Sequence, residues 1–290
     1  MSRILVTGIN SPLGQAVGRK LQAEGHSVVG TVRSSKIITQ GLPAEELIPL
    51  DLESKDTFVN ISGSFDAIIH VASISLGSPE EFLRINSTAT GFLIERAQAL
   101  DIGRLIYVSS MAIYGDPANM SIDEFTEIQS QSSYGESKWQ AEFLIQNAFN
   151  TIPTLTVRPP AIVGPITNYH FLSKVIRKMK LQEPFITVSN PDFLSNNVVH
   201  QNVIADFLCT LTEKKSLNKY RAVPIGSTDP IPLREIIDLM AKATNYKGQI
   251  NWVEPKTPPF RIDSTGAIEL GYKPISTLET INRWMHDAKL

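Results

Sequence analysis

Tyr134 and Lys138 stand four residues apart in Tyr134-Gly135-Glu136-Ser137-Lys138. On a helix that spacing puts both side chains on one face. Ser132 and Ser133 lie just before the pair and supply a helix cap. Trp139 to Phe149 then continues at helical period through Phe143, Ile145 and Phe149. A free tyrosine keeps its proton up to a pKa of about 10. An ammonium beside it favours the phenolate and draws that value down. The pair therefore has the makings of a proton donor and acceptor for neutral pH. On their own, the same residues also fit an ordinary helix with an exposed lysine.

A second chemical group sits upstream. Leu105-Ile106-Tyr107-Val108 reads as a buried strand that delivers Ser109 and Ser110 at its carboxyl end. In doubly wound parallel sheets, ligands bind beyond the carboxyl ends of the strands. A serine there reaches such a ligand, although serines that only cap a turn are common.

The elements that must position these groups begin at the amino end. Arg3 to Thr7 is a short apolar run, a candidate buried strand. It ends in Gly8-Ile9-Asn10-Ser11-Pro12-Leu13-Gly14. Pro12 suits the first turn of a helix, and Leu13, Ala16, Val17 and Leu21 recur at helical spacing before Gly25. Ser27 to Val32 is the next strand. Strand, glycine turn, helix and strand form the unit that sets a pyrophosphate on a helix N-terminus. The reading is therefore dinucleotide binding, with a plain parallel crossover as the bland alternative.

The strand Ser27 to Val32 leads into Arg33-Ser34-Ser35-Lys36. An NAD site of this kind places an acid at the end of the second strand, on the ribose hydroxyls. None stands here. Arg33 can instead meet a 2′-phosphate with paired charge-assisted bonds, helped by Ser34 and Lys36. NADP is therefore the expected cofactor, with NAD as the alternative.

Further strands are expected at Leu47 to Leu50, Asp66 to Ala72 and Pro153 to Val157. Helices are expected at Lys55 to Ile61 and at Pro79 to Leu100. Beyond this the pattern loosens. Phe171 to Met179, Val203 to Leu211, Leu233 to Ala243 and Thr277 to Ala288 read as helices, and Val198-Val199 and Arg221 to Pro224 as strands. Lys174, Arg177, Lys178 and Lys180 share the polar side of the first of these helices, as a solvated face or a site for an anionic substrate.

The chain has 290 residues, 42% hydrophobic and 19% charged, enough for one large domain or two smaller ones. A net charge of −2 gives no sign of nucleic-acid or membrane-surface binding. Cys209 is the only cysteine, so no internal disulfide or cysteine metal cluster can form. The 5 histidines are scattered, and no metal site is expected. Met1 leads into a strand pattern, and no apolar run is long enough to span a membrane, so a cytoplasmic location is the expectation.

Taken together the chain resembles the extended short-chain dehydrogenase/reductases, in particular the NAD(P)-dependent sugar epimerase/dehydratase family. Thr7, Gly8 and Gly14 match its glycine motif, with Ser11 where the middle glycine usually stands. Asp51-Leu52 is similar to its adenine contact, and His70-Val71-Ala72-Ser73 to its fourth-strand motif beside the cofactor. Asn86 matches its Asn-x-x-Gly-Thr pattern with the glycine displaced to Gly91. Val108-Ser109-Ser110-Met111-Ala112-Ile113-Tyr114-Gly115 is similar to its catalytic-serine segment, Tyr134 to Lys138 to its active-site motif, and Arg158-Pro159-Pro160-Ala161-Ile162-Val163-Gly164-Pro165 to the segment along the nicotinamide. Val199-His200 resembles its next landmark.

The resemblance implies an α/β fold: a Rossmann-type doubly wound parallel sheet over 1–165 and a smaller substrate-binding region over 166–290. It implies Ser110, Tyr134 and Lys138 as catalytic residues. It implies a cofactor site of Gly8, Asn10, Ser11, Pro12, Leu13, Gly14, Arg33, Asp51, Leu52, Val71, Ala72, Ser73, Asn86, Tyr134, Lys138, Pro160 and Ile162. Substrate contacts follow at Ser110, Asn168 and Arg261, and the diphosphate arginine usual near Ser189 to Asn196 is missing. Hydride transfer at a hydroxyl or keto carbon is the implied reaction, with a keto-sugar (sugar-nucleotide) reductase expected first. A sugar-nucleotide epimerase, a carbonyl or alcohol dehydrogenase on another substrate, and a dinucleotide sensor are the alternatives. Dehydration is not expected, because Met111 and Ala112 follow Ser110 where dehydratases carry an acid and a base. A homodimer is implied through 79–100 and 133–149, with Leu83, Phe92, Trp139 and Phe143 as apolar surface.

Overall fold

In the computed structural model, residues 1–33, 40–117, 120–166, 170–214, 219–254 and 259–290 are described. Seven parallel strands form the central sheet. They are β1 (Arg3–Thr7), β2 (Ser27–Val32), β3 (Glu46–Pro49), β4 (Ala67–His70), β5 (Leu105–Val108), β6 (Thr154–Arg158) and β7 (Arg221–Pro224), in the order β7-β6-β5-β4-β1-β2-β3. The chain runs outward from β1 to β3 and then returns to lay β4 on the other side of β1. The crevice between diverging crossovers opens at that reversal, beyond the carboxyl ends of β1 and β4. Strands β1, β4, β5 and β6 are almost entirely buried, which explains why they read as apolar runs without alternation.

Helices cover both faces. On one side α1 (Pro12–Ala23) packs with α6 (Gln201–Glu213) around Val17, Leu21, Ile204 and Leu208. On the other, α3 (Ala89–Gln98) and α4 (Ser133–Ala148) pack around Leu93, Tyr107, Ala141 and Ile145. The expected helix 55–61 is a 3₁₀ turn, Lys55–Asn60. The expected helix over 79–100 is not continuous. Its short first piece α2 (Pro79–Phe82) and α3 are joined by a π turn, Leu83–Thr88. An extra residue in one helical turn shifts the face that follows it, and such turns recur at functional sites.

Three further helices, α5 (Phe171–Lys180), α7 (Leu233–Ala243) and α8 (Thr277–Asp287), build a second core around Ile176, Val188, Ile237 and Trp284. It includes a parallel pair, Phe185–Ser189 with Gln249–Val253. The stretch expected to form the substrate region also returns to the first sheet, because β7 is one of its strands and α6 packs against it. Among the described residues no helix is long and apolar enough to cross a membrane, and no cluster of metal-ligating side chains is found.

Thr7, His70 and Thr90 tie β1, β4 and α3 together under the crevice. Thr90 donates its hydroxyl proton to the Asn86 carbonyl at 2.7 Å, so toward His70 Nε2, 3.0 Å away, it accepts. His70 therefore carries its proton on Nε2. Its Nδ1 accepts from the Thr7 hydroxyl at 2.7 Å, whose lone pairs take the Val71 and Ala72 amides at 3.1 Å each. Burial, with the nearby Lys138 charge, holds His70 down at about 3.

That shift sets an acid limit. The folded state keeps His70 neutral while an unfolded chain protonates it near 6.5. Its contribution to stability is complete above the unfolded value and declines as pH falls toward about 3, by about 1.4 kcal/mol per pH unit. Urea unfolding between pH 4 and 8 checks this. A His70→Asn chain is expected to lose about one proton from the slope of stability against pH. An unaltered slope would show that His70 is not a buried neutral group.

Candidate functional site

Gly8 follows β1 with φ +68°, a conformation that side chains rarely adopt, and a Cβ there would press on Ala72. A Cβ at Gly14 would overlap the Gly8 carbonyl oxygen. Only glycine permits this close turn. Ser11, which stands where the resembled family has a glycine, caps α1, its hydroxyl accepting from the Gly14 amide at 3.0 Å. The exposed start of α1 thus faces a groove of about 370 Å³ lined by Gly8, Asn10, Ser11, Arg33, Leu52, Val71, Ala72 and Ser73 among others. Its backbone donors and helix dipole suit a pyrophosphate. The chain here fits a dinucleotide.

Ser11 also borders a larger cleft of about 740 Å³, so groove and cleft meet there. Ser110, Tyr134, Pro12, Leu13, Pro160 and Ile162 line this cleft. The two serines after β5 have separate fates. Ser109 is buried, its hydroxyl without a partner among the described residues, while Ser110 faces the cleft and caps the turn Met111–Tyr114, accepting from the Ala112 amide at 3.1 Å. Ser132 caps α4 at the Gly135 amide, 3.0 Å away. Phe82 meets the Tyr134 ring edge-on with centroids 5.7 Å apart.

Burial raises the Tyr134 phenol above its ordinary value, and the nearby Ser110 side chain offsets part of that rise. Lys138 lies one turn on, 1% exposed, with Nζ donating to the Val108 carbonyl at 2.8 Å and 4.4 Å from the centre of the Tyr107 ring. Burial pulls its ammonium down to about 7, against the opposing charge of Glu142. The expectation that Lys138 lowers the phenol's pKa therefore meets a competing effect in the chain alone. Desolvation outweighs the neighbouring groups at Tyr134, and the ammonium is itself disfavoured.

Other expected residues lie behind the site. Asn86, buried in the π turn, accepts from the Ile74 amide at 2.8 Å. It donates to the Ile74 carbonyl at 3.0 Å and to the Ser137 hydroxyl at 3.1 Å. It thereby fastens the loop after β4 to α4. Asp51 accepts from the Glu53 amide and does not line the groove, although Leu50 and Leu52 do. Gly14 shapes the turn from beneath. Arg261 is exposed and does not line the cleft, whereas its neighbour Phe260 does. Asn168, Ser34 and Lys36 lie outside the described residues.

Sequence reasoning passed over Ser75, His170, Asn197 and Gln201, which also line the cleft. Phe260 and His170 each lie within two residues of a position it did single out, and Asn197 directly follows the stretch searched for the missing arginine. No spacing pattern marks any of them.

Comparison with known proteins agrees with this geometry. Residues 4–226 match the model of the NAD dependent epimerase/dehydratase family. UDP-glucose 4-epimerase of Streptomyces lividans is 22% identical over 268 residues, covering 84% of this chain and 82% of that protein. A 2-alkyl-3-oxoalkanoate reductase of Shewanella oneidensis is 24% identical over 259 residues, covering 83% of this chain and 65% of that one. The structure of UDP-glucuronic acid 4-epimerase from Bacillus cereus with UDP-glucuronic acid and NAD superposes with a TM-score of 0.81 at 18% identity, covering 99% of each chain. At that identity the superposition speaks for the fold. The family match spans most of the chain, from β1 through β7, and on that ground the protein belongs to the NAD dependent epimerase/dehydratase family, among the extended short-chain dehydrogenases/reductases.

Proposed function

We propose that this protein is an NADP-preferring oxidoreductase that reduces the keto group of a sugar, with Tyr134 as its acid and base. One observation carries the reading: Ser110 and Tyr134 face a single cleft that joins the dinucleotide groove at Ser11. A nicotinamide dinucleotide, when bound, supplies the hydride. The Tyr134 hydroxyl gives its proton to the substrate oxygen, or takes it in the reverse direction. The Ser110 hydroxyl hydrogen-bonds that oxygen as charge develops on it. Lys138, poised near 7, favours the phenolate whenever its ammonium is charged. Gly8, Asn10, Ser11, Pro12, Leu13, Leu52, Val71, Ala72, Ser73, Pro160 and Ile162 hold the cofactor. Gly14 shapes the turn, Asn86 braces the loop after β4, and Asp51 stands between the groove residues Leu50 and Leu52. The cleft is lined by no carboxylate among the described residues, and Met111 and Ala112 follow Ser110, so elimination of water is not supported.

A nucleotide on the sugar has mixed support. Lys174, Arg177 and Lys180 line a neighbouring pocket that shares Ile166 with the cleft. Arg261 stays outside it. The second reading, an epimerase, rests on the family match and on relatives that are UDP-glucose 4-epimerases. Cofactor preference separates the two, because an NADPH pool serves reduction. Arg33 lines the groove at the end of β2, with no acid beside it on that strand.

Tyr134→Phe is expected to lower kcat by about two to four orders of magnitude while leaving cofactor affinity unchanged. Lys138→Met is expected to weaken both. Turnover of a keto-sugar panel, with fluorescence titration of NADPH, checks the pair, and near wild-type turnover by Tyr134→Phe overturns the reading.

Titration with both reduced cofactors is expected to favour NADPH, and Arg33→Ala to cut that preference about tenfold or more. Equal wild-type affinity for NADH and NADPH returns the weight to the epimerase.

A homodimer also belongs to the proposal. Leu83 and Phe143 are 39% and 54% exposed, while Phe92 and Trp139 pack partly into the cores beneath. Light scattering is expected to give twice the chain mass, and a monomer mass across a wide concentration range removes the dimer.

A further inference from the structure

The strand that delivers Ser110 also seats Lys138. The lysine, 1% exposed, meets two consecutive residues of β5. Its Nζ donates to the Val108 carbonyl at 2.8 Å and lies over the Tyr107 ring, 4.4 Å from the centroid. An ammonium within about 6 Å of an aromatic centroid is attracted by the negative face of the ring, most strongly where water is excluded. Tyr107 is also 1% exposed, packed in the core between sheet and helices, with the His70 ring tilted against it at 5.6 Å between centroids. The contact is therefore dry and fixed from both sides.

The other groups around the ammonium are committed or neutral. Glu142, one turn along α4, favours its charge, but Arg158 on β6 holds that carboxylate through Nε and Nη2 and also donates to Tyr114. His70 on β4, held down at about 3, stays neutral. Burial raises the phenols of Tyr107, Tyr114, Tyr134 and Tyr220, so all four keep their protons at neutral pH. Even with Glu142 near, burial draws Lys138 down to about 7. An ammonium that must be present beside Tyr134 needs a further counterweight.

We propose that Tyr107 is a positioning residue whose ring face keeps the Lys138 ammonium charged and seated for proton transfer at Tyr134. The inference rests on the reading that Lys138 acts on Tyr134. Its sign is definite. The ring favours the charged form, so weakening the ring lets Lys138 lose its proton at lower pH. Reduction needs the ammonium, so the fall of kcat on the alkaline side moves to lower pH as well. A leucine at this position would fill much of the same core yet present no quadrupole to the charge.

Tyr107→Leu would also disturb packing, so the test keeps the ring and changes its charge distribution. Tyr107→Phe is the reference chain. At the same position, phenylalanines carrying one, two or five ring fluorines draw electron density from the ring face with little change of shape. Lys138 is titrated in the chain alone by NMR of ¹³C-labelled lysine, its signal assigned by its loss in Lys138→Arg. The Lys138 pKa is expected to fall stepwise with fluorination, by about one unit or more over the series. The alkaline limb of kcat with NADPH and the keto-sugar panel is expected to move the same way. A Lys138 pKa that stays level along the series overturns the inference. So does a pKa that falls while the alkaline limb stays in place, because Lys138 then sets nothing at Tyr134. The titration needs no substrate, and the reading of Tyr134 falls only if Tyr134→Phe turns substrate over, so the two failures are distinguishable.

Discussion

The position of Tyr134 depends on an ion pair that no solvent reaches. Glu142 on α4 and Arg158 at the end of β6 are 1% and 4% exposed. Arg158 Nε lies 3.1 and 3.2 Å from the two carboxylate oxygens, and Nη2 donates at 2.8 Å. Its Nη1 donates at 2.7 Å to the Tyr114 hydroxyl, which in turn donates to the Asp123 carbonyl at 2.8 Å. Each ion alone would cost several kcal/mol to bury, so neither tolerates the other's absence. Tyr134, Lys138 and Glu142 recur every four residues, on one stripe of α4. The pair at the far end of that stripe pins helix to sheet. It also pins the turn after Ser110, because Tyr114 belongs to both.

A second set of bonds works from the opposite side. The Thr7–His70–Thr90 chain holds the carboxyl ends of β1 and β4 in register, and Asn86 carries the connection through Ser137 into α4. The π turn makes both possible, since it places Asn86 toward the loop and Thr90 toward His70. Glycine turn, serine turn and α4 are thus three surfaces of one buried polar scaffold. Lys138 sits in the middle of it, held down to about 7 by burial, which is the cost of keeping an amine out of water in a stable fold.

Much of this was legible from residues alone. β1, β2, β5 and β7 fall where the apolar runs place them, because a strand buried on both faces has little choice of composition. The turn beside the groove followed from glycines whose missing side chains the structure requires, and the other groove residues from the family resemblance. What stayed hidden depends on contacts between distant segments. The strands Phe185–Ser189 and Gln249–Val253 pair across about sixty residues of chain. Asp51 and Arg261 match a motif yet turn away from the groove and cleft, since a motif records residue type and not the direction of a side chain. Gln201 is placed at the cleft only by the way α6 meets the segment Pro159–Ile162, which no local pattern in the sequence reveals.

The edge of the central sheet has a history in time. β6 pairs with β5 on one side and β7 on the other, and more than sixty residues separate Arg158 from Arg221. During synthesis β6 therefore emerges well before the strand that covers it. Until α6 and β7 arrive, its open ladder of amides and carbonyls and the bare apolar face of α1 are templates for the wrong partner. A ribosome that stalls in that interval, or a protease that cuts there, leaves a product carrying Tyr134, Lys138 and the whole glycine turn, yet prone to stick to its own kind. The chemistry of the site is encoded early, and its solubility late.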